Sequence, residues 1–324
     1  MGKLIKGTNR ADELSQNGQA DVTILGFGGS DSIVLDRDDD LGGGNFVDAG
    51  KGNDTVFNAF EGENDVRLGA GNDTYIGTGF SFFNTIDVVN GGDGADRFFV
   101  STLLSTYIGG RGSDTFFTHG HKNDFDGGAG IDTISYEFRH EDAAVGDEGV
   151  IADLNAQAAQ TGSNSRENFH SIENVIGSIN SDRLIGSNGN NTINGLGGSD
   201  DLQGHDGNDI LIGGFGQDFL FGEVGADRFV FQRTTDSMAS GADEIFDFGR
   251  SFGDRIDLSA IDANSSTQAN DAFTFIGASA FTGHAGELRF SGGLLLADTN
   301  GNLTADMAIK VDNQASMLGT DFIL

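Results

Sequence analysis

Aspartates recur along this chain at a fixed interval, each closing a glycine-rich stretch. Asp182, Asp200, Asp209, Asp218 and Asp227, with Asn191 at the equivalent place in the second unit, lie nine residues apart or a multiple of nine. The unit reads G-G-x-G-x-D-x-U-x, where U is a large apolar residue. Six copies run without a gap from Gly177 to Val230. They begin at Gly177, Gly186, Gly195, Gly204, Gly213 and Gly222, with further glycines at Gly198, Gly207, Gly216 and Gly225, and the apolar place holds Leu184, Ile193, Leu202, Leu211, Leu220 and Phe229. Glycine lets the backbone bend until carbonyl oxygens converge, and an aspartate adds charge, so the pattern offers the hard, oxygen-rich surroundings that Ca²⁺ prefers. Solvated turns alone have no need of a fixed period over six units.

The first half carries the motif at a wider spacing. Full matches are Gly91, Gly94 and Asp96, then Gly109, Gly112 and Asp114, then Gly127, Gly130 and Asp132. Looser copies at Gly26 to Val34, Ala49 to Phe57 and Leu68 to Ile76 bring Asp31, Asp54 and Asp73. The intervening segments Val100 to Ile108 and Thr118 to Asp126 lack the glycine pattern, so one column of ions is expected along residues 20 to 135 and ions on both edges of residues 177 to 230. The 23-residue steps from Asp31 to Asp54 and from Asp73 to Asp96 predict five-residue loop insertions.

The uninterrupted nonads resemble the RTX family of type I secreted bacterial proteins. The resemblance implies an all-β fold, a right-handed parallel β-roll or β-helix solenoid in which two nonads make one turn. It also implies that each ion is shared by loops eighteen residues apart, at Asp182/Asp200, Asp200/Asp218 and Asp209/Asp227, and at Asn191/Asp209 with one carboxylate fewer. Each strand is too short to stand alone, so several turns must stack to share a core. Crowded carboxylates repel one another until a cation arrives, and folding is then tied to calcium.

The remaining elements frame these rolls. A first roll is expected over 1–135, a loop-rich connector over 136–176 with a short helix near Ala152 to Ala159, the second roll over 177–231, and a C-terminal β domain over 232–324. Ser171 to Ser178 (SIENVIGS) is similar to the lead-in found before many RTX blocks. Apolar/polar alternation in Asp243 to Phe248 and Asp254 to Leu258 predicts antiparallel strands that cap the roll. The region is similar to the C-terminal domain of serralysin-type proteases, including Ala285 to Phe290 and the final Asp321 to Leu324. In that family an acidic residue followed by apolar ones at the C-terminus belongs to an uncleaved type I export signal. Asp298, Asn300, Asn302 and Asp306 form an acidic loop that reads equally as a calcium site or as an Asn-Gly hairpin turn.

Composition narrows the function classes. Against 50 acidic residues stand 18 basic ones, a formal net charge of −32, which disfavours nucleic acid and anionic membranes as partners. Cysteine is absent, so cross-links cannot come from disulfides. No apolar run is long enough for membrane insertion, and the first residues lack the apolar core of a secretory signal. No H-E-x-x-H occurs, so the protease activity that accompanies the serralysin-like region elsewhere is not expected. Gly249 to Gly253 matches G-x-S-x-G but lies between strand-like segments, and His119 with His121 lacks a third ligand. The expected function is that of an extracellular or cell-surface calcium-binding protein of a Gram-negative bacterium, exported by type I secretion and not an enzyme. Its role would be in adhesion, biofilm matrix or a surface layer. Self-association and cell-surface or acidic glycans are the candidate partners besides calcium and the secretion machinery. The alternative is a polysaccharide-binding or polysaccharide-modifying protein, lyase-like or epimerase-like, with a groove lined by Phe80, Phe82, Phe83, Phe98, Phe99, Phe116 and Phe117.

Overall fold

Alternation of one apolar residue between polar neighbours makes short strands, and the glycine-rich segments between them reverse the chain, so the polypeptide coils. The computed structural model describes residues 2–36, 43–60, 62–79, 86–139, 148–162, 165–267 and 269–324. These fall into two compact units, residues 1–148 with 156–174, and residues 149–155 with 175–324. Among the described residues there is no α-helix, only strands and short 3-10 turns. The architecture is all-β, a parallel solenoid with antiparallel strands near the C-terminus.

In the first unit the chain alternates between two parallel faces. Face one holds Thr23–Leu25, Phe46–Lys51, Asp65–Ala70, Val88–Asp93, Thr106–Arg111 and Asp124–Ala129; face two holds Ser32–Leu35, Thr55–Asn58, Thr74–Gly77, Arg97–Val100, Thr115–Thr118 and Thr133–Ser135. Register lines up one inward residue per strand. Ile24, Val47, Val66, Val89, Tyr107 and Phe125 stack on face one. Ile33, Val56, Tyr75, Phe98, Phe116 and Ile134 stack on face two. All of these are at most 1 % exposed, so the core is a double file of side chains, and removal of one breaks contacts with both neighbours in its file.

The second unit repeats this plan at a strict nine-residue period. Arg183–Ile185, Asp201–Gln203 and Phe219–Phe221 form one face, and Thr192–Asn194, Ile210–Ile212 and Arg228–Val230 the other. Leu184, Leu202, Leu220, Ile193, Leu211 and Phe229 are fully buried.

Two expectations from the sequence are corrected here. Residues 152 to 159 form no helix: Ile151–Asp153 pairs in parallel with Arg183–Ile185, and Ala158–Gln160 pairs antiparallel with Arg166–His170. The alternation of buried Val150, Ala152 and Leu154 with outward Ile151 and Asp153 is a period of two, which favours a strand. Nor are Asp243 to Phe248 and Asp254 to Leu258 antiparallel. Asp243–Ile245 and Arg255–Asp257 continue the parallel roll on Phe219–Phe221 and Arg228–Val230. In the C-terminal region, antiparallel strand pairing among the described residues joins Glu287–Ser291, Leu294–Asp298 and Met307–Val311. Met307–Val311 pairs in parallel with Asp243–Ile245, and Phe322–Ile323 with Arg255–Asp257, so the C-terminal strands close the roll.

Candidate metal centres

Each repeat aspartate stands directly before a strand, at the inner end of a turn, where its side chain is covered by the turns stacked against it. Asp31, Asp54, Asp73, Asp96, Asp114 and Asp132 form one column along a single edge of the first unit, none more than 2 % exposed. One carboxylate oxygen has a fixed use. The backbone N–H of each aspartate donates to Oδ1 of the next: Asp31 to Asp54 at 2.7 Å, Asp54 to Asp73 at 2.7 Å, Asp73 to Asp96 at 2.8 Å, Asp96 to Asp114 at 2.8 Å and Asp114 to Asp132 at 2.7 Å. The second unit has two such columns, Asp182 to Asp200 to Asp218 on one edge and Asn191 to Asp209 to Asp227 on the other, with N···O distances of 2.7 to 2.9 Å.

The other oxygen is the informative one. Oδ2 of Asp31, Asp54, Asp73, Asp96, Asp114, Asp132, Asp200, Asp209, Asp218 and Asp227 is buried, and no hydrogen-bond donor reaches it. A buried carboxylate oxygen without a partner is costly, and a whole column of them is tenable only if protons or cations neutralise it. Burial, followed by the charges of neighbouring aspartates, pushes these carboxyls up: Asp96, Asp209 and Asp227 to about 7, and Asp200 to about 9.

Backbone oxygens converge on the same places. A methyl group built on Gly91 would lie 2.2 Å from Asp96 Oδ2 and 2.5 Å from the Gly109 carbonyl oxygen one turn on. At Gly195 the corresponding distances are 2.1 Å to Asp200 Oδ2 and 2.6 Å to the Gly213 oxygen, and at Gly204 they are 2.5 Å to Asp209 Oδ2 and 2.8 Å to the Gly222 oxygen. Gly109, Gly127, Gly213 and Gly222 likewise face Oδ2 of Asp114, Asp132, Asp218 and Asp227. Glycine in the fourth place has a different duty: Gly112, at φ +130°, lies so close to the preceding turn that a methyl group would meet the Gly94 oxygen at 1.7 Å. Gly94, Gly130, Gly198, Gly207, Gly216 and Gly225 share that left-handed geometry. Among the described residues no three His, Asp or Glu side chains converge, so each cradle combines a carboxylate with backbone oxygens. That donor set fits Ca²⁺, which accepts backbone oxygens freely.

The geometry also sorts the remaining candidates. Asp182 Oδ2 already accepts the Ser178 N–H at 2.5 Å, and Asn191 Oδ1 accepts the Ser187 N–H at 2.6 Å, so these two turns lack the orphaned oxygen. In the loop from Asp298 to Asp306 both carboxylates are taken up internally. Asp298 accepts the N–H groups of Asn300, Gly301 and Leu303, and Asp306 accepts Thr299 N–H and the Asn300 amide; Asn302 Oδ1 accepts the Thr304 N–H. This is a self-closed turn. His119 and His121 are half-buried, with His119 Nδ1 against the Val100 oxygen at 3.2 Å. Ser251 is exposed in a turn closed by Phe252 N–H to Gly249 O, and Arg250 in that turn grips the buried Asp321 at 2.6 and 2.8 Å.

Two column members escaped the sequence reading. Asp218 N–H donates to Asp243 Oδ1 and Asp227 N–H to Asp254 Oδ1, both at 3.0 Å. Asp243 Oδ2 is orphaned like the others, and burial with the charge of Asp218 pushes its carboxyl up to about 9. The signal was present as Asp243-Glu244-Ile245 and Asp254-Arg255-Ile256, the same Asp-x-apolar triplet as Asp182-Arg183-Leu184, displaced by loops that hide the period.

Also unread was the opposite edge of the first unit. There the place before the face-one strands from Phe46 onward holds Asn45, Asn64, Asp87, Ser105 and Asn123, joined by Asn45 N–H to Asn64 Oδ1, Asn64 N–H to Asp87 Oδ1, Asp87 N–H to Ser105 Oγ and Ser105 N–H to Asn123 Oδ1 at 2.8 to 3.1 Å. Its lone carboxylate, Asp87, accepts Asn58 Nδ2 at 2.7 Å, Gly62 N–H at 3.0 Å and Asn64 Nδ2 at 3.0 Å, so both oxygens are satisfied without a cation.

The expected phenylalanine groove is not formed by the described residues. Phe98 and Phe116 stack inside the core at 4.8 Å, while Phe99 and Phe117 stack at 4.5 Å on face two beneath Arg97. Phe80, Phe82 and Phe83 lie outside the described residues.

Comparison with known families agrees with this chemistry. The model of the Peptidase M10 serralysin C-terminal family matches residues 159–324, and that of the RTX calcium-binding nonapeptide repeat matches residues 41–75, 84–101 and 106–134. No curated protein matches the chain.

Proposed function

Because the chain belongs to the serralysin C-terminal family and carries RTX calcium-binding repeats, we propose that it is a secreted protein whose rolls fold around Ca²⁺ outside the cell. There it serves as a non-catalytic component of a surface, adhesion layer or matrix. The observation that carries this reading is the set of buried, donor-less Oδ2 atoms facing backbone oxygens of the next turn. Bound calcium would supply the positive charge that the columns lack. Asp31, Asp54, Asp73, Asp96, Asp114 and Asp132 would hold it in the first roll, and Asp200, Asp209, Asp218, Asp227 and Asp243 in the second. Extracellular sites of this kind bind at roughly 10⁻⁴–10⁻³ M, so the carboxylate columns would stay unfolded in the cytosol and fold on export.

Two features support the export half of the reading. Asp321 to Leu324 has the form of a type I signal, and in the folded chain Asp321 is fully buried against Arg250 while Phe322–Ile323 forms a strand. An exporter would therefore meet the tetrapeptide only before folding. Among the described residues no helix is long and apolar enough to cross a membrane. Circular dichroism with and without a chelator tests the central claim: loss of strand signal on calcium removal is expected, and an unchanged spectrum would overturn it. Light scattering that rises with calcium would support assembly into a layer.

A polysaccharide ligand is favoured by one observation. The outer side of face one carries a groove of about 880 Å³ lined by Asp48, Asp65, Arg67, Asn90, Ile86 and Val88, a mixture of hydrogen-bonding and apolar groups suited to sugar hydroxyls and ring faces. Calorimetric titration with oligosaccharides at saturating calcium decides it, and absence of heat with all of them removes this alternative.

A further inference from the structure

Three turns depart from the repeat geometry in one shared way, and each stands directly before the first orphaned carboxylate of its column. Asp12, Asp182 and Asn191 precede Asp31, Asp200 and Asp209, to whose Oδ1 atoms their N–H groups donate. In all three turns the second place is a hydroxyl residue, Thr8, Ser178 or Ser187. The backbone N–H of that residue points inward, to Asp12 Oδ2 at 2.6 Å, Asp182 Oδ2 at 2.5 Å and Asn191 Oδ1 at 2.6 Å. The hydroxyl reaches the same side chain at 2.9, 3.0 and 3.3 Å.

The turns with an orphaned Oδ2 are built differently at that place. In the turns of the repeat itself, which exclude the longer loop before Asp243, glycine is usual there, as at Gly92, Gly110 and Gly214 (φ +108°, +112° and +99°), and where another residue stands it too is left-handed: Phe27 at +75°, Leu196 at +71°, His205 at +73° and Glu223 at +67°. Four strained residues in one structural place are no accident of sampling, since L side chains seldom adopt this conformation. Positive φ carries the N–H away from the carboxylate. Leu196 N–H, for example, donates to Asn194 Oδ1 at 3.1 Å and leaves Asp200 Oδ2 without a donor. Thr8, Ser178 and Ser187 have no positive φ, and their N–H fills the place where a cation would sit.

We infer that, in the six-residue turns of the repeat, the second residue decides whether the turn takes calcium: a left-handed residue opens the cradle, and a serine or threonine closes it with its own N–H and O–H. An N–H dipole and a cation compete for one oxygen, so the two arrangements exclude each other. Thr8, Ser178 and Ser187 thus act as built-in caps. They begin each column with a turn that is complete without an ion, on which the first calcium-bound turn can stack. This inference rests on the calcium reading of the columns.

Calcium bound per chain, measured by equilibrium dialysis on the full-length protein, separates the two. Ser178→Gly removes the hydroxyl and admits the left-handed φ that turns the N–H away from Asp182 Oδ2, and is expected to add one ion per chain. Thr8→Gly, in the other roll, is expected to do the same for Asp12. Ser187→Gly combined with Asn191→Asp is expected to add one more, whereas Ser187→Gly alone, lacking a carboxylate, is expected to add none. Unchanged stoichiometry in folded Ser178→Gly and Thr8→Gly would overturn the inference while leaving the columns intact. Failure of both variants to fold in millimolar calcium would overturn it too, because a turn that gains an ion does not lose its structure. A parent protein that binds no calcium would sink the column reading instead.

Discussion

On one edge of the first roll a file of carboxylates faces backbone oxygens, and on the other a file of amides and hydroxyls closes on itself; in the second roll both edges carry carboxylates. All these edges share one backbone device, in which the N–H before a strand donates to a side-chain oxygen one turn later. They differ in what is left over. Asn64 or Ser105 spends its polar atoms within the ladder, whereas an aspartate in the same place has a second oxygen and a charge to neutralise. Loop length follows this difference. In the first roll, from Phe46 onward, the carboxylate edge has three residues between strands, as from Lys51 to Thr55, Ala70 to Thr74 and Asp93 to Arg97. The amide edge takes up every insertion, from Leu35 to Phe46 and from Gly77 to Val88. An ion shared by two turns fixes their shape, but a ladder of amides leaves the chain beyond it free to lengthen.

Removing calcium should separate the rolls most strongly. Hydrogen exchange in excess chelator is expected to erase protection throughout residues 183 to 230 and to leave measurable protection beside Asn45, Asn64 and Ser105. Equal loss in both regions would break the comparison.

Substitutions should follow with smaller effects. Asp209→Asn is expected to lower the melting temperature in a way that more calcium partly restores. Asn64→Ala takes the acceptor from the Asn45 N–H and removes one donor from Asp87, and is expected to cost about 1–3 kcal/mol, the cost of burying an unsatisfied polar group, at every calcium concentration. Melts over a calcium titration distinguish them, and a cost for Asn64→Ala that vanishes with added calcium would show that both edges depend on ions.

Acidity gives the finest test. In the folded, ion-free rolls burial lifts Asp73 and Asp132 to about 6 and Asp96 to about 7 in the first, and Asp218 to about 6 but Asp200 and Asp243 to about 9 in the second, all above the usual carboxylate range. A carboxyl with a raised folded pKa binds more protons folded than unfolded between those limits, so stability falls as pH rises through that window. Chelated protein should therefore gain structure on acidification, with the second roll responding from a higher pH than the first. With calcium present the sign reverses, because protons displace the ion. Thermal melts from pH 5 to 9 under both conditions check this, and parallel curves would refute it.

Much of this was legible in the residues. Asp96, Asp114, Asp200, Asp209, Asp218 and Asp227 could be placed from spacing alone, because a solenoid maps sequence period directly onto spatial period. Asp243 and Asp254 could not, since the loops before them break the count although the Asp-x-apolar triplet survives. The helix expected near Ala152 failed for a related reason: Ile151–Asp153 is a strand because a parallel partner at Arg183–Ile185 is waiting for it.

By itself the sequence determined the repeat, the all-β coil and the identity of the charged groups, since local glycine conformation and apolar alternation depend on neighbours within a nonad. Only the tertiary structure decided which oxygens were left without donors. Asn64 and Asp114 both stand directly before a strand but on opposite edges, and Asp182 and Asp200 carry the same side chain, yet Asp182 Oδ2 accepts the Ser178 N–H while no donor reaches Asp200 Oδ2. The stacked turn some eighteen positions earlier fixes each Oδ1, and the backbone conformation within the carboxylate's own turn decides whether a donor reaches Oδ2.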